Sequence, residues 1–365
     1  MRAFKLKRLL FLAMGFVFLA QPAFSREQDD EFDAFLPIFG VEPQDRIRWH
    51  FPDVPSRIVV IGDIHGDLNS LVLLLRQSGL VTGKKSEWSG GRSHLVLLGD
   101  LIDRGADSKA VMLYVQRLSE EAKISGGAVH ALLGNHELLA AKADFRATKA
   151  EIDSFQRGSS RDKWEILNWF YRQEKGPFAN WIASRNSIVQ IGPYVFVHGG
   201  LGAWVLDHDI GEVNASVRSW IRYFQGNGRM PSEQSAWVID DDYRSPLWSR
   251  SMSSSSGLSH ILFPGDLFQR MMDKLKAAHV FIGHSVTYEQ GFRIGRDHPL
   301  FGDRLIEMDT GVSYAVGGKP SALIIEGGKM REIYPARKRK SYWITKKLRN
   351  ICAEDIRWLV KRGKL

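Results

Sequence analysis

Cysteine is nearly absent from this chain. Cys352 is the only one in 365 residues, so no disulfide within the chain can form. No histidine or glycine-rich loop stands beside it, which leaves a cysteine nucleophile unsupported. Long apolar runs are missing beyond the first 25 residues, so no later stretch could span a bilayer. No internal repeat is visible. A basic stripe on the body is missing too. Of the +9 formal charge, residues 1–25 carry +4 and residues 331–365 carry +9, which leaves −4 on residues 26–330. That sign argues against nucleic acid as a partner.

The two ends differ from the body. Arg2, Lys5, Lys7 and Arg8 precede an apolar stretch from Leu9 to Ala20, and Ala23-Phe24-Ser25 follows as a small-x-small ending. This pattern predicts a cleaved signal peptide over residues 1–25, and hence a periplasmic or secreted protein. The 12-residue apolar stretch is short of the roughly 18–20 that a membrane anchor needs. Export without disulfides suits a space where they are optional. Residues 26–55 read as an acidic, then proline-bearing lead-in. Residues 331–365 hold twelve Lys and Arg against three acids. Such a tail could make weak contact with an anionic surface. The preferred reading is a helical extension that packs through Trp343, Ile344, Leu348, Ile351, Trp358 and Leu359.

What the chain has in plenty is one repeated local pattern. Leu95 to Leu98 is an apolar run that stops at Gly99, and Asp100, Asp103 and Arg104 follow at once. Arg57 to Ile61 runs into Gly62-Asp63-Ile64-His65-Gly66. Val129 to Leu133 runs into Gly134-Asn135-His136-Glu137. Tyr194 to Val197 runs into His198-Gly199-Gly200, and Val280 to Ile282 into Gly283-His284-Ser285. Continuous apolar runs of this length read as buried strands of an α/β sheet. Sites in such folds gather beyond the carboxyl ends of the strands.

Helices fill the intervals. Leu68 to Ser78 reads as a helix capped by Asp67, and Ser108 to Lys123 as a second. Strand, helix and strand make a βαβ unit with a parallel pair. After Asn135 the pattern stays helical for about fifty residues, which predicts a helical insert at about 138–185. The insert could cap the site and shape substrate choice, or simply add a packing layer. Val205 to Phe224 reads as another helix. Ser253-Ser254-Ser255-Ser256-Gly257 reads as a mobile surface loop.

The side chains at the strand ends fit one chemistry. Carboxylates and imidazoles without thiolate suit manganese, iron or zinc. Asp63, His65 and Asp100 could hold one ion. Asn135, His198 and His284 could hold a second, with Asp100 bridging. Two divalent ions would clamp a phosphate and lower the pKa of a bridging water towards about 7, so that it attacks phosphorus in line. Arg104 is placed to meet the charge on the phosphoryl oxygens. The leaving group needs a proton. His136 would supply it, with Asp103 holding its pKa up. Any one of these motifs alone is usually an ordinary turn. Five together are not.

The motifs Gly62 to Gly66, Gly99 to Gly105, Gly134 to Glu137 and His198 to Leu201 resemble the signatures of calcineurin-like metallophosphoesterases. Asp-Arg-Gly at 103–105 with Asn-His-Glu at 135–137 is similar to the phosphoprotein phosphatase branch. Ser245 to Arg250, Ile282 to Val286 and Asp309-Thr310-Gly311 resemble the Shewanella-like protein phosphatases. The resemblance covers roughly Arg57 to Glu326, so the catalytic domain is expected over residues 56–330. It implies a four-layer αββα sandwich and a site with two divalent metal ions, manganese foremost. It also implies phosphate binding by Arg104, Asn135 and a second arginine, which Arg250 matches. Serine at 285 stands where related sequences often carry threonine.

The expected activity is therefore dephosphorylation of phosphoproteins at Ser/Thr, Tyr or both. A nucleotide or dinucleoside polyphosphate hydrolase on the same core is the first alternative. It would need a base-stacking platform, from Trp204 or the insert's aromatic residues. A non-catalytic metal-binding interaction protein is the second, and it predicts a lost ligand where none is lost. The other seven histidines, His50, His94, His130, His208, His260, His279 and His298, show no partner pattern and read as structural.

Overall fold

The apolar runs become two mixed sheets. The computed structural model describes residues 47–156, 162–257, 259–287, 293–294 and 300–335. The expected signal peptide, most of the lead-in and nearly all of the basic tail lie outside these residues. Its strands are β1 (His50–Phe51), β2 (Arg57–Ile61), β3 (Val81–Thr82), β4 (Glu87–Trp88), β5 (His94–Leu97), β6 (Ala128–Ala131), β7 (Ile188–Ile191), β8 (Tyr194–Val197), β9 (His279–Ile282), β10 (Arg293–Ile294), β11 (Leu305–Glu307), β12 (Ala322–Glu326) and β13 (Lys329–Ile333). Its helices are α1 (Leu68–Gln77), α2 (Ser108–Ile124), α3 (Asn135–Ala141), α4 (Lys149–Gln156), α5 (Lys163–Tyr171), α6 (Ala179–Ala183), α7 (Ile210–Gln225), α8 (Trp237–Asp240), α9 (Ser259–Leu262) and α10 (Leu267–Leu275). None of the described helices is long and apolar enough to cross a membrane.

One sheet runs β13-β12-β2-β5-β6 and the other β1-β7-β8-β9-β11-β10. Within them β2, β5 and β6 are parallel, and so are β8, β9 and β11. Strand residues alternate between two apolar layers, as the two-residue period requires. Ile58, Val60, Val96, Leu98, Phe196, Phe281 and Ile306 pack between the sheets. Val59, Ile61, Leu97, Val195 and Ile282 join Leu71, Val111, Val217 and Met271 of the helices in the other cluster. Helix, sheet, sheet, helix is the expected four-layer sandwich.

The ends of the helices follow from local chemistry. Asp67 accepts a hydrogen bond from the Ser70 amide at 2.9 Å and starts α1 as expected. Asp209 and Glu212 form a capping box at the start of α7, and Gly226 closes it at φ +82°.

Three local expectations are corrected. The insert is not one long helical stretch. Among the described residues it forms the separate helices α4, α5 and α6, and most of its rings turn inward. Phe155, Phe170, Tyr171 and Phe178 are buried against one another. The helix expected from Val205 starts only at Ile210, after a separate one-turn helix at Ala203–Leu206. The serine run is not a free surface loop. Ser253 is fully buried, and Glu307 accepts from the Ser253 hydroxyl and the Ser254 amide, the latter at 2.9 Å.

Candidate active site

Five strands end on the same group of side chains. Asp63 and His65 follow β2, and Asp100, Asp103 and Arg104 follow β5. Asn135 and His136 open α3 directly after β6. His198 follows β8, and His284 follows β9. His65, Asp100, Asp103, Arg104 and His284 all adopt positive φ, between 43° and 66°. L-residues avoid that region, so the strand ends store backbone strain where the functional groups cluster.

Asp100 is at the centre. Donor atoms of Asp100, His198 and His284 lie within 4.8 Å of one another, and so do those of His65, Asp100 and His136. Asp100 belongs to both groups, as a bridging carboxylate would. His198 Nε2 is 3.4 Å from Asp100 Oδ1 and 3.0 Å from Asn135 Oδ1. His65 Nε2 is 3.7 Å from Asp100 Oδ2. Asp63 receives the His284 amide at 3.2 Å.

Two histidines are held in one tautomer. His65 Nδ1 faces the Ile102 carbonyl at 3.1 Å, and His198 Nδ1 faces the Leu98 carbonyl at 2.8 Å. A carbonyl only accepts, so each Nδ1 carries the proton and each Nε2 turns a lone pair towards Asp100. Burial, against the pull of Asp100, holds His65 down at about 3 and His198 below the ordinary imidazole value. Burial, with the neighbouring His198 and Arg250, also holds His284 well below it. These rings are neutral donors. Burial, then the facing Asp309 and Asp100 carboxylates, raises Asp63 well above the carboxylate range. Asp100 goes the other way: burial would raise it, but His198 and the other imidazoles around it hold it down, so it favours the ionised form. A buried carboxylate, beside neutral imidazoles with free lone pairs, forms a donor set suited to a divalent cation.

The proton-transfer pair is also in place. His136 Nδ1 lies 2.7 Å from Asp103 Oδ2. Burial pulls His136 down, but the Asp100 charge and the Asp103 hydrogen bond outweigh it and raise its pKa. Arg104 Nη2 lies 3.3 Å from His136 Nε2. Arg250 is exposed and donates to the His284 carbonyl at 2.9 Å and to Ser285 Oγ at 3.1 Å. The guanidinium thus sits beside the candidate ligand His284, and the serine at 285 keeps a useful hydroxyl.

Every residue predicted for the site lies in this region. Two residues escaped prediction. Asp309 follows β11, is buried, and shares a hydrogen bond with Asp63. Burial pushes it up to about 6. The Leu305 to Met308 run leading into Asp309 shows the same strand-then-ligand pattern as the other five. Glu137 is buried and accepts from the amides of Asp100, Leu101 and Gly134 at 2.8–3.0 Å. It ties the ends of β5 and β6 together. Among the other histidines, His94 and His130 bond each other at 3.2 Å beside Phe51, a structural pairing between β5 and β6.

A profile for calcineurin-like phosphoesterases matches residues 56–288. The chain belongs to that family. It is a phosphoesterase-type hydrolase, and divalent metals are part of the family's chemistry. It is 28% identical to Shewanella-like protein phosphatase 2 of Arabidopsis thaliana over 54% of this chain and 60% of the relative, so the match spans less than two thirds of that protein. It is also 28% identical to Shewanella-like protein phosphatase 1 of Plasmodium berghei (strain Anka), over 74% of this chain and 69% of the relative. A crystal structure titled as the cold-active protein-tyrosine phosphatase of a psychrophilic Shewanella species superposes with a TM-score of 0.63 at 19% identity, covering 80% of this chain and 85% of the other. That likeness concerns the fold.

Proposed function

We propose that this chain is a metal-dependent phosphomonoesterase that removes phosphate from phosphoproteins. The observation that carries the reading is the Asp103–His136 pair, a proton donor held 2.7 Å from its carboxylate at the edge of a buried metal-type donor set. The names of the two phosphatase relatives support the phosphoprotein substrate.

Asp63, His65, Asp100, Asn135, His198 and His284 would hold two divalent ions, with manganese expected and iron or zinc as alternatives. When bound, the ions neutralise the phosphate and acidify a water for in-line attack. Arg104 and Arg250, on the exposed side, grip the phosphoryl oxygens, and Asn135 joins them. Asp309 orients Asp63 through their shared hydrogen bond. An arginine only donates, so the Arg104 contact leaves His136 Nε2 as acceptor and its proton on Nδ1, facing Asp103. An incoming phosphate offers Arg104 a stronger acceptor. Nε2 is then free to take a proton from solvent, which the Asp100 and Asp103 charges favour, and to deliver it to the leaving oxygen.

Among the described residues, the stacking platform that a nucleotide would need is not offered by Trp204. Trp204 is buried and donates its indole N–H to the Arg244 carbonyl at 2.8 Å, so it offers no open stacking face. Most of the insert's rings are buried as well. The test is phosphate release with added Mn²⁺ from phosphotyrosine and phosphoserine peptides and from diadenosine tetraphosphate, with Asp100→Asn as the blank. Turnover of a peptide but not of the dinucleotide is expected. Turnover of the dinucleotide alone would overturn the substrate assignment. The same reading takes residues 1–25 as a cleaved leader, on their composition. N-terminal sequencing of the exported protein tests this, and retention of those residues would defeat it.

A further inference from the structure

The insert sends one acidic side chain to the back of the proton-transfer pair. Glu151, on α4, is 1% exposed. Its carboxyl faces Ser108 and the Asp103 backbone amide, where α4 packs on the start of α2, with Lys109 Nζ 5.9 Å from the Phe155 ring centroid. Its own helix secures it as well. The Thr148 amide donates to Glu151 Oε2 at 3.3 Å, and the Glu151 amide donates to Thr148 Oγ1 at 3.2 Å. Ser108 stands between the two, since its Oγ accepts from the Asp103 amide at 3.0 Å.

This contact falls on a strained segment. Asp103 and Arg104 adopt φ of +65° and +66°. Each is a side-chain-bearing residue in the left-handed region, and such residues persist only where their surroundings hold them. Asp103 must keep that backbone so that its Oδ2 reaches His136 Nδ1 at 2.7 Å. Arg104 must keep it to reach the open side of the site. The amide of Asp103 is the handle; Ser108 grips it, and Glu151 backs Ser108.

We propose that Glu151 is a positioning residue for the reaction, through which the helical insert fixes the Asp103–Arg104 turn and so aligns His136 for proton delivery. The proposal rests on the phosphomonoesterase reading given above. It also decides between the two roles open to the insert: α4 is neither a plain packing layer nor a lid over the mouth, but a brace behind the catalytic turn. Burial first, then the Asp103 charge, raises Glu151 to about 8, so it stands as a neutral acid at neutral pH. Glutamine copies that state, because it is uncharged and nearly the same shape and fills the same place behind Ser108.

The test compares wild type, Glu151→Ala and Glu151→Gln in two measurements. The first is turnover of phenyl phosphate, whose leaving group needs a proton, against a dinitrophenyl phosphate, whose leaving group does not. In Glu151→Ala, kcat for phenyl phosphate falls roughly tenfold or more and by clearly more than the dinitrophenyl rate, because a misplaced acid costs only the step that uses it, while a loosened Arg104 weakens both substrates alike. Glu151→Gln restores the phenyl phosphate rate. The second measurement is the backbone amide of Asp103 by NMR in the full chain, read with or without activity. Its resonance and exchange protection change in Glu151→Ala, while the amides of Leu101 and Gly134, which Glu137 holds, do not. An unchanged Asp103 amide would overturn the inference. So would an equal loss on both substrates, or a Gln variant no better than Ala. Inactivity of the wild type on every phosphomonoester would defeat the functional reading instead, and the Asp103 amide would still report on the brace.

Discussion

His136 is fixed from one side and left free on the other. Asp103 engages Nδ1, and Nε2 faces Arg104 and the site. Its pKa is raised, because the Asp100 charge and the Asp103 hydrogen bond outweigh burial and favour the cation. A group raised in this way holds its proton below that pKa and loses it as pH rises through it. For poor leaving groups, kcat should therefore fall along a basic limb set by His136. In Asp103→Asn that limb should move to lower pH, because the carboxylate that favours the cation is gone. A pH–rate profile of both proteins reads this, and an unmoved limb would remove Asp103 from the role. His136→Asn should slow poor leaving groups by about 10²–10⁴-fold and leave the metal content intact. Comparable metal loss in His136→Asn and Asp100→Asn would show that His136 is a ligand instead. At this scale the sequence was most readable. Each predicted ligand sat at the end of an apolar run, where residue type and position speak together. Asp309 carries the same signal more faintly, because Glu307 interrupts the apolar run before it. Glu151 carried none, because its meaning lies in a contact 48 positions from Asp103 that no local pattern records.

Elements meet at the site through their ends, and glycine sets how closely. Gly134 is the N-cap of α3, and a Cβ there would strike the Asp100 carboxylate and its amide nitrogen. The close approach is needed because the His136 amide donates to Asp100 Oδ1 at 2.9 Å. Gly134→Ala should push the ends of β5 and β6 apart. The expected loss is about 1–3 kcal/mol of stability, the usual range for overpacking, together with weaker metal retention. Thermal unfolding and metal analysis of the purified variant check it. Normal metal content would mean that the neighbouring turn yields without cost. Strand existence was legible here because buried parallel strands are short, dense apolar runs. Helix continuity was less so. The insert reads as one helical stretch because Phe145, Phe155, Trp164 and Phe170 supply apolar residues throughout, but tertiary packing of those rings sets the breaks. Nor did the serine run announce its anchor. Glu307, the acid that pins it, comes from β11 more than fifty residues later.

The whole molecule carries its metal site as an electrostatic load. Sheet order was not written in any local stretch, because β12 pairs with β2 across more than 250 residues of chain. That closure brings β2 beside the last strands of the body, while the segment between β11 and β12 carries Ser313, which donates to the His65 carbonyl at 3.2 Å. The site therefore depends on the complete sandwich, and the sandwich must accommodate buried carboxylates. Asp309, raised to about 6, illustrates the sign. With no cation present, a carboxyl raised in the folded state contributes stability that is fully present below its unfolded value of about 4 and is lost as pH rises through about 6. A divalent ion reverses this, since it binds the ionised form and only the folded chain assembles the site. Neutral His65, His198 and His284 add to the same effect, because acid protonates them and competes with the ion. Added Mn²⁺ should therefore raise the melting temperature clearly at pH 7 and much less at pH 5, and chelation should cancel the gain. Scanning calorimetry at both values, with Asp100→Asn as the control that shows no gain, reads the coupling directly. An equal gain at the two pH values would mean that the ion binds elsewhere, away from the carboxylates and imidazoles at the five strand ends.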